Sequence, residues 1–343
     1  MDLTTVIRPN ILGLEPYSCA RDEFKGEASV YVDANENPYP NGTNRYPDPL
    51  QHKVKAILAP LKGVREEQIF LGNGSDEAID LVYRIFCRPG IDNVVAIDPS
   101  YGMYKVCAAV NDVTYRSVSL TADYQLDRGA LLDAIDDFTK VIWFCSPNNP
   151  TGNAFDLSDL EWYLQHLQHR IIVVDEAYVD FSTKGTMLSL LPRYDNLIVL
   201  QTLSKAWGQA AIRCGLAFAS AEIIGYFNAV KYPYNVNELT QRHALSILSD
   251  PSLKERQVTE ILQQRDVLRR ELSLLPIVRQ IHPSDANFLL VQFDDADSVY
   301  LYLQSHGIIV RNRNRVHLCQ GCLRITIGTP EENRILIETL KKL

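Results

Sequence analysis

The 343-residue chain has no uninterrupted apolar stretch long enough to cross a bilayer, so a membrane-spanning helix is not expected. Its first residues, Met1–Arg8, lack the charged segment and apolar core of a signal peptide. Positive charge is in deficit: 34 Lys and Arg stand against 42 Asp and Glu, giving a net charge of −8 and a pI near 5.4. That balance disfavours nucleic acid or an anionic membrane as partner, and an anionic substrate would need a local basic pocket. The seven cysteines are an odd number scattered through a large chain, which reads as reduced and cytoplasmic. The seven histidines have no metal spacing, and no His-Glu-x-x-His or Gly-x-Ser-x-Gly is present. Cys319-Gln320-Gly321-Cys322 lacks the second ligand pair of a zinc site, so no metal is expected. Repeats and low-complexity segments are absent.

Apolar residues make up 46% of the chain and charged residues 22%, the balance of a soluble protein with a sizeable interior. The length suggests a large and a small domain. Residues 1-30 read as an N-terminal arm that joins the small domain, 31-235 as the large domain and 236-343 as the small one. Val30–Pro40 reads as a short strand running into a proline-broken loop. A helix is expected from Pro49 to Leu61. From Ile69 onward, apolar strand-like runs alternate with helical stretches: Ile69–Leu71, Asn93–Ile97, Val113–Val118, Val141–Cys145, Ile171–Val174, Leu197–Leu200 and Leu216–Ala219. This predicts an α/β fold with a mostly parallel seven-stranded sheet covered by helices. After residue 235 a helical stretch, Asn237–Leu275, is broken near Asp250-Pro251. Strands at Ala286–Gln292, Gly307–Arg311 and Leu323–Ile327 and helices at Ala296–Ser305 and Pro330–Lys342 predict a smaller α+β unit.

Two strand ends carry the chemistry. Ile171-Ile172-Val173-Val174 runs into Asp175, and Asn196-Leu197-Ile198-Val199-Leu200 leads to Thr202-Leu203-Ser204-Lys205. A lysine and an aspartate at the carboxyl ends of buried parallel strands face one crevice of an α/β sheet. An amine for a Schiff base and an anion for a ring nitrogen are what pyridoxal phosphate needs. For its phosphate, Gly72-Asn73-Gly74-Ser75-Asp76 stands between a strand and a helix start, where free N–H groups and the helix dipole favour an anion. Thr202, Ser204 and Arg213 could close around the same group. For the ring oxygen, Asn149 and Tyr178 are candidates, and Tyr101 could stack on the ring. Each has a plainer reading: a turn at Gly74, a surface charge at Arg213, a helix cap or Mg²⁺ ligand at Asp175, a strand-ending loop at Asn149, a core aromatic at Tyr101, a solvated amine at Lys205. What sets them apart is that all follow strand ends. The loop Arg311-Asn312-Arg313-Asn314-Arg315 carries three arginines, of which Arg313 and Arg315 read as solvated.

Asn148-Asn149-Pro150-Thr151-Gly152, Asp175-Glu176-Ala177-Tyr178 and Thr202-Leu203-Ser204-Lys205 with Arg213 resemble the fold-type I pyridoxal-phosphate-dependent aminotransferases. Five further segments are similar to the histidinol-phosphate aminotransferase family: Asn35-Glu36-Asn37-Pro38, Asn44-Arg45-Tyr46-Pro47-Asp48, Gly74-Ser75-Asp76-Glu77, Ser284-Asp285-Ala286-Asn287-Phe288 and Gly321-Cys322-Leu323-Arg324-Ile325-Thr326-Ile327-Gly328. Aromatic amino-acid aminotransferases and a threonine-phosphate decarboxylase share much of this pattern. The resemblance runs from about Arg8 to the C-terminus. It implies transamination between L-histidinol phosphate and 2-oxoglutarate in L-histidine biosynthesis. By the same resemblance Lys205, Asp175 and Tyr178 are catalytic, with Lys205 shuttling the proton. Asp175 binds the ring nitrogen, Asn149 and Tyr178 the ring oxygen, and Ser75, Asp76, Thr202, Ser204 and Arg213 the cofactor phosphate, Asp76 through its backbone N–H. Tyr46 reaches the partner's cofactor in a homodimer with composite sites. Arg324 holds the substrate, and Tyr17 and Arg311 its phosphate.

Overall fold

A computed structural model describes residues 2–24 and 28–343. Seven strands form the larger sheet: β1 (Ile69–Asn73), β2 (Asn93–Asp98), β3 (Thr114–Ser119), β4 (Thr139–Cys145), β5 (Ile171–Asp175), β6 (Leu197–Thr202) and β7 (Cys214–Phe218). Their order is β1-β7-β6-β5-β4-β2-β3. The pairs β2/β3, β2/β4, β4/β5 and β5/β6 are parallel, while β7 runs antiparallel between β6 and β1. Strands β4 to β6 are apolar nearly throughout because both faces of the sheet are covered. Alternation then divides their side chains. Ile142, Phe144, Ile172, Val174 and Val199 join one core with the helices His52–Lys62, Leu157–His166 and Glu238–Leu248. Trp143, Val173, Ile198 and Leu200 join the other, with Ser75–Phe86, Met103–Val110 and Ala221–Val230.

This topology lines up the site. The carboxyl ends of β1, β2, β4, β5 and β6 point to one edge, where connecting loops emerge. Because β7 is antiparallel, its amino end lies at that edge too. Thr202 pairs with Gly215 and Asn73 with Cys214, so Arg213 enters beside the turn that follows β1.

A second, antiparallel sheet has the order β10-β11-β9-β8, from β8 (Val278–Ile281), β9 (Phe288–Phe293), β10 (Arg311–Asn312) and β11 (Cys322–Thr326). Its helices Ser252–Ser273, Ala296–Ser305 and Pro330–Leu340 share a core containing Leu272, Leu289, Val299, Ile325 and Leu336. The sequence expectation differs from the structure at four places. The strand expected over Gly307–Arg311 begins only at Arg311. Strand β8 escaped the sequence reading because its Arg279-Gln280 centre breaks the apolar run. Val30–Val32 forms no strand, and Val32 stands 90% exposed. The start of the arm packs on the larger sheet's helices rather than on the small unit. Leu3, Val6, Ile7 and Ile11 are buried in that core, and the Arg8 N–H donates to the Ile85 carbonyl at 2.9 Å.

Candidate functional site

At the edge where the loops emerge, β5 ends in Asp175, whose residue is 3% exposed. One carboxylate oxygen accepts the Tyr104 hydroxyl at 2.8 Å and the other accepts the Ala177 N–H at 3.0 Å. Burial pushes the carboxyl up to about 6, against the pull of those two donors. Tyr104 is fully buried, stacked on Trp143 at 4.7 Å and held edge-on to Tyr101 at 5.6 Å. Its role was not read from the sequence. Its spacing of three from Tyr101, at the start of a helix, is the one signal that placed both rings together.

Lys205 follows β6 and its ammonium lies 5.6 Å from the centroid of the Tyr178 ring. The side chain is accessible, yet enough protein surrounds it that desolvation, and then the charge of Arg324, lowers its pKa from the usual lysine range. Tyr178 and Asn149 are buried together, with the Asn149 amide N–H₂ donating to the Tyr178 hydroxyl at 3.4 Å. Arg324 donates to the Asn149 carbonyl oxygen, and its guanidinium lies 5.3 Å from the Phe288 ring. Phe288 also packs edge-on to Tyr178 at 5.2 Å, so it wedges the small sheet against the Lys205 loop. The segment before it is pinned to the loop after β4: the Asp285 N–H donates to the Gly152 carbonyl at 2.7 Å, and the Ala154 N–H to the Asp285 carboxylate at 2.9 Å.

The helix Ser75–Phe86 begins at Gly74, which makes no side-chain cap. Gly74 has φ +74°, and a Cβ there would lie 2.3 Å from an Arg213 guanidinium nitrogen. A Cβ on Gly215 would lie 2.0 Å from the Ser75 nitrogen. Glycine at both positions lets β7 and the arginine press against free N–H groups. Arg213 reaches the Ser204 hydroxyl at 3.4 Å and the Asp76 carboxylate at 3.5 Å, and Asp76 accepts the Tyr101 hydroxyl at 3.0 Å. Thr202 is buried and its hydroxyl accepts the Ser204 N–H at 3.0 Å. Asn148, beside Asn149, is structural: its amide N–H₂ donates to the Pro99 carbonyl and the Thr151 hydroxyl.

Strand β10 pairs with β11 so that Arg311 stands opposite Arg324. Arg311 and Arg315 are exposed, whereas Arg313 is half-buried, and its Nε is buried without a hydrogen-bond partner. The expectation that Arg313 is solvated is therefore corrected. Tyr46 and Tyr17 lie elsewhere. Tyr46, 51% exposed, stacks on Tyr234 at 4.4 Å, and its N–H donates to Glu36. Tyr17 is 71% exposed. Among the described residues, no hydrogen bond joins either to the Lys205 cluster.

The residues present fit pyridoxal phosphate. A buried carboxylate displaced toward neutrality awaits a cation such as a ring N–H. An uncapped helix start beside Arg213 awaits an anion, and an amine of lowered pKa stands near both.

The family model described as aminotransferase class I and II matches residues 28–340. The chain is 57% identical over 342 residues to a histidinol-phosphate aminotransferase of Parabacteroides distasonis, covering 100% of this chain and 99% of that protein. It is 52% identical over 341 residues to one of Bacteroides thetaiotaomicron, covering 99% and 98%. Among solved structures, a histidinol-phosphate aminotransferase of Sinorhizobium meliloti in complex with pyridoxal-5'-phosphate superposes with TM-score 0.81 at 22% identity, covering 90% of this chain and 89% of that one.

Proposed function

The chain belongs to the class I and II aminotransferases, and we propose that it moves an amino group between L-histidinol phosphate and 2-oxoglutarate in L-histidine biosynthesis. Its cofactor is pyridoxal 5'-phosphate. Once bound, that cofactor supplies a conjugated ring that takes up the electron pair left when the substrate Cα–H bond breaks.

The chain's own residues do the rest. Gly74, Ser75, Asp76 and the helix N-terminus, with Thr202, Ser204 and Arg213, hold the cofactor phosphate, Asp76 by its N–H. The Asp175 carboxylate would keep a proton on the ring nitrogen, and Tyr104 and the Ala177 N–H hold that carboxylate in place. Asn149 and Tyr178 would donate to the ring oxygen, and Tyr101 would stack on the ring. Lys205 would hold the cofactor through its amine until the substrate amine displaces it, and the freed Nζ would then take the proton from Cα. Desolvation, and then the Arg324 charge, lower its pKa from the usual lysine range, in the direction that favours the neutral, proton-accepting amine.

Histidinol phosphate carries a phosphorylated carbon where an amino acid carries its carboxylate, so the substrate site must take a dianion. The observation that carries this reading is Arg311 opposite Arg324 on adjacent strands, with the Arg324 charge acting on Lys205. Tyr17 assists on the substrate phosphate. Two chains form a homodimer in which Tyr46 completes the partner's site. The exposure of Tyr17, Tyr39, Tyr46 and Val32 in one segment supports it. All seven cysteines are unpaired and buried, which supports a reducing cytoplasmic setting.

The test is spectroscopy of single half-reactions on the purified holoenzyme. L-Histidinol phosphate should convert the cofactor to its amine form, and 2-oxoglutarate should restore it. Phenylalanine should be slower, and threonine phosphate should release no carbon dioxide. Release of carbon dioxide, or phenylalanine reacting faster than histidinol phosphate, would overturn the substrate assignment.

A further inference from the structure

The strand pairing at β10 continues one residue further, since the Arg313 N–H donates to the Cys322 carbonyl at 2.9 Å. Side chains two apart on a strand share a face, and so do residues directly opposite on its neighbour. Arg311, Arg313 and Arg324 therefore lie on one side of the ladder. That side is the one from which Arg324 reaches Asn149, while Leu323 and Ile325 point the other way into the small domain's core. Among the described residues, none of the three guanidiniums forms an ion pair with a carboxylate. Arg313 is half-buried, with its Nε shut off from water and from any acceptor. The groups facing it are Arg324, Arg311, the Cys319 thiol and the Tyr178 hydroxyl, none of them an anion at neutral pH. Burial, and then the neighbouring Arg324 and Arg311 charges, push its pKa down to about 10. A half-buried guanidinium without a counter-charge is costly, and it is stabilised when an anion arrives.

We infer that Arg313 is a third anion-binding arginine of the substrate site and the residue that favours a phosphomonoester dianion over a carboxylate. Three positive charges with no acid among them match a phosphomonoester, whose two negative charges sit on one group, better than a single carboxylate group. Arg324 reaches either substrate, being anchored beside Asn149. Arg313, half-buried and with an unsatisfied Nε, is engaged fully by the additional oxygens of a phosphate. The inference rests on the proposed substrate class and names the residue that reads it.

The experiment compares wild type, Arg313→Gln and Arg313→Lys as holoenzymes, so that the cofactor's own phosphate cradle is filled. Dissociation constants are measured by cofactor absorbance and calorimetry for inorganic phosphate, L-histidinol phosphate and L-glutamate. Arg313→Gln should weaken both phosphate ligands by about 10-fold or more, the effect of losing hydrogen bonds to a charged group. Glutamate should weaken less than about 3-fold on the same scale, and Arg313→Lys should recover part of the phosphate loss. Wild-type affinity for L-histidinol phosphate should rise from pH ~5 to ~7 as the second proton of its phosphate leaves, more steeply than in Arg313→Gln. Equal losses for phosphate and glutamate, or an unchanged phosphate constant, overturn the inference. Should Arg313→Gln fail to fold, the ratio of constants in Arg313→Lys decides by the same criterion. If wild type does not transaminate histidinol phosphate, the proposed function fails. Inorganic phosphate still reports on Arg313 in that case.

Discussion

Burial acts on Asp175 and Lys205 in opposite directions. It raises the carboxyl to about 6 and lowers the amine, moving both toward their neutral forms. Two groups poised in this way respond strongly to a ligand that brings a cation to one and reacts with the other. Asp175→Asn keeps the shape and an acceptor for Tyr104 but cannot hold a proton on the ring nitrogen. Its kcat should fall by ~10²-fold or more, the order contributed by a single electrostatic or acid–base group, while the substrate KM changes little. Steady-state kinetics decide this, and a raised KM with kcat intact would make Asp175 a structural residue. Asp175, Lys205 and Asn149 were legible in the sequence because each stands just past an apolar strand. Tyr104 was not, because a helix tyrosine bonded to a buried carboxylate has the same sequence context as one packed in a core. Arg313 was misread for a related reason. Whether an arginine in a basic loop is solvated depends on what the neighbouring strand brings against it.

At the scale of elements, β7 is the piece that sequence patterning could not orient. Its Cys214–Phe218 run is as apolar as the parallel strands beside it, and apolarity reports burial on both faces rather than direction. The antiparallel entry nevertheless decides where Arg213 sits, and the close approach of Gly215 to Ser75 fixes the cradle. Gly215→Ala should force the two backbones apart. Overpacking of that kind costs about 1–3 kcal/mol, seen as a lower melting temperature, with cofactor affinity falling further than stability alone accounts for. Unchanged cofactor binding would detach β7 from the cradle. The Tyr46 segment is organised differently, around one acid. Glu36 accepts Arg21 at 2.6 Å, Arg45 at 2.7 Å and the Tyr46 N–H at 2.5 Å. Although burial opposes it, these contacts, led by Arg21, hold its carboxyl down at about 2. A depressed carboxyl contributes fully above its unfolded value of ~4.3 and loses that contribution as pH falls through the folded one. The segment should therefore become protease-sensitive as pH drops from about 4.3 toward 2, and Glu36→Gln should be sensitive already at pH 7. Equal resistance of Glu36→Gln and wild type at pH 7 would remove Glu36 as the organiser.

At the scale of the whole molecule, Tyr46 stands apart from the Lys205 cluster of its own chain, stacked on Tyr234 and half-exposed. A tyrosine held in a fixed orientation yet half-exposed is suited to a second copy of the chain. In a twofold dimer each chain would give Tyr46 to its partner's cofactor and receive one in return. Complementation separates this arrangement from a self-sufficient chain. Lys205→Ala homodimers should be inactive, because no amine is left to move the Cα proton. Tyr46→Ala homodimers should be impaired in cofactor retention. When the two are unfolded, mixed in equal amounts and refolded, half of the dimers are hybrids. One site of each hybrid has an intact Lys205 and receives an intact Tyr46 from the other chain. The mixture should then recover about a quarter of wild-type activity, the share expected for random pairing in a twofold dimer. If each chain completed its own site, hybrids would add nothing beyond the Tyr46→Ala activity already present. Light scattering on the mixture fixes the dimer fraction. A monomer carrying full activity would also reject the composite site.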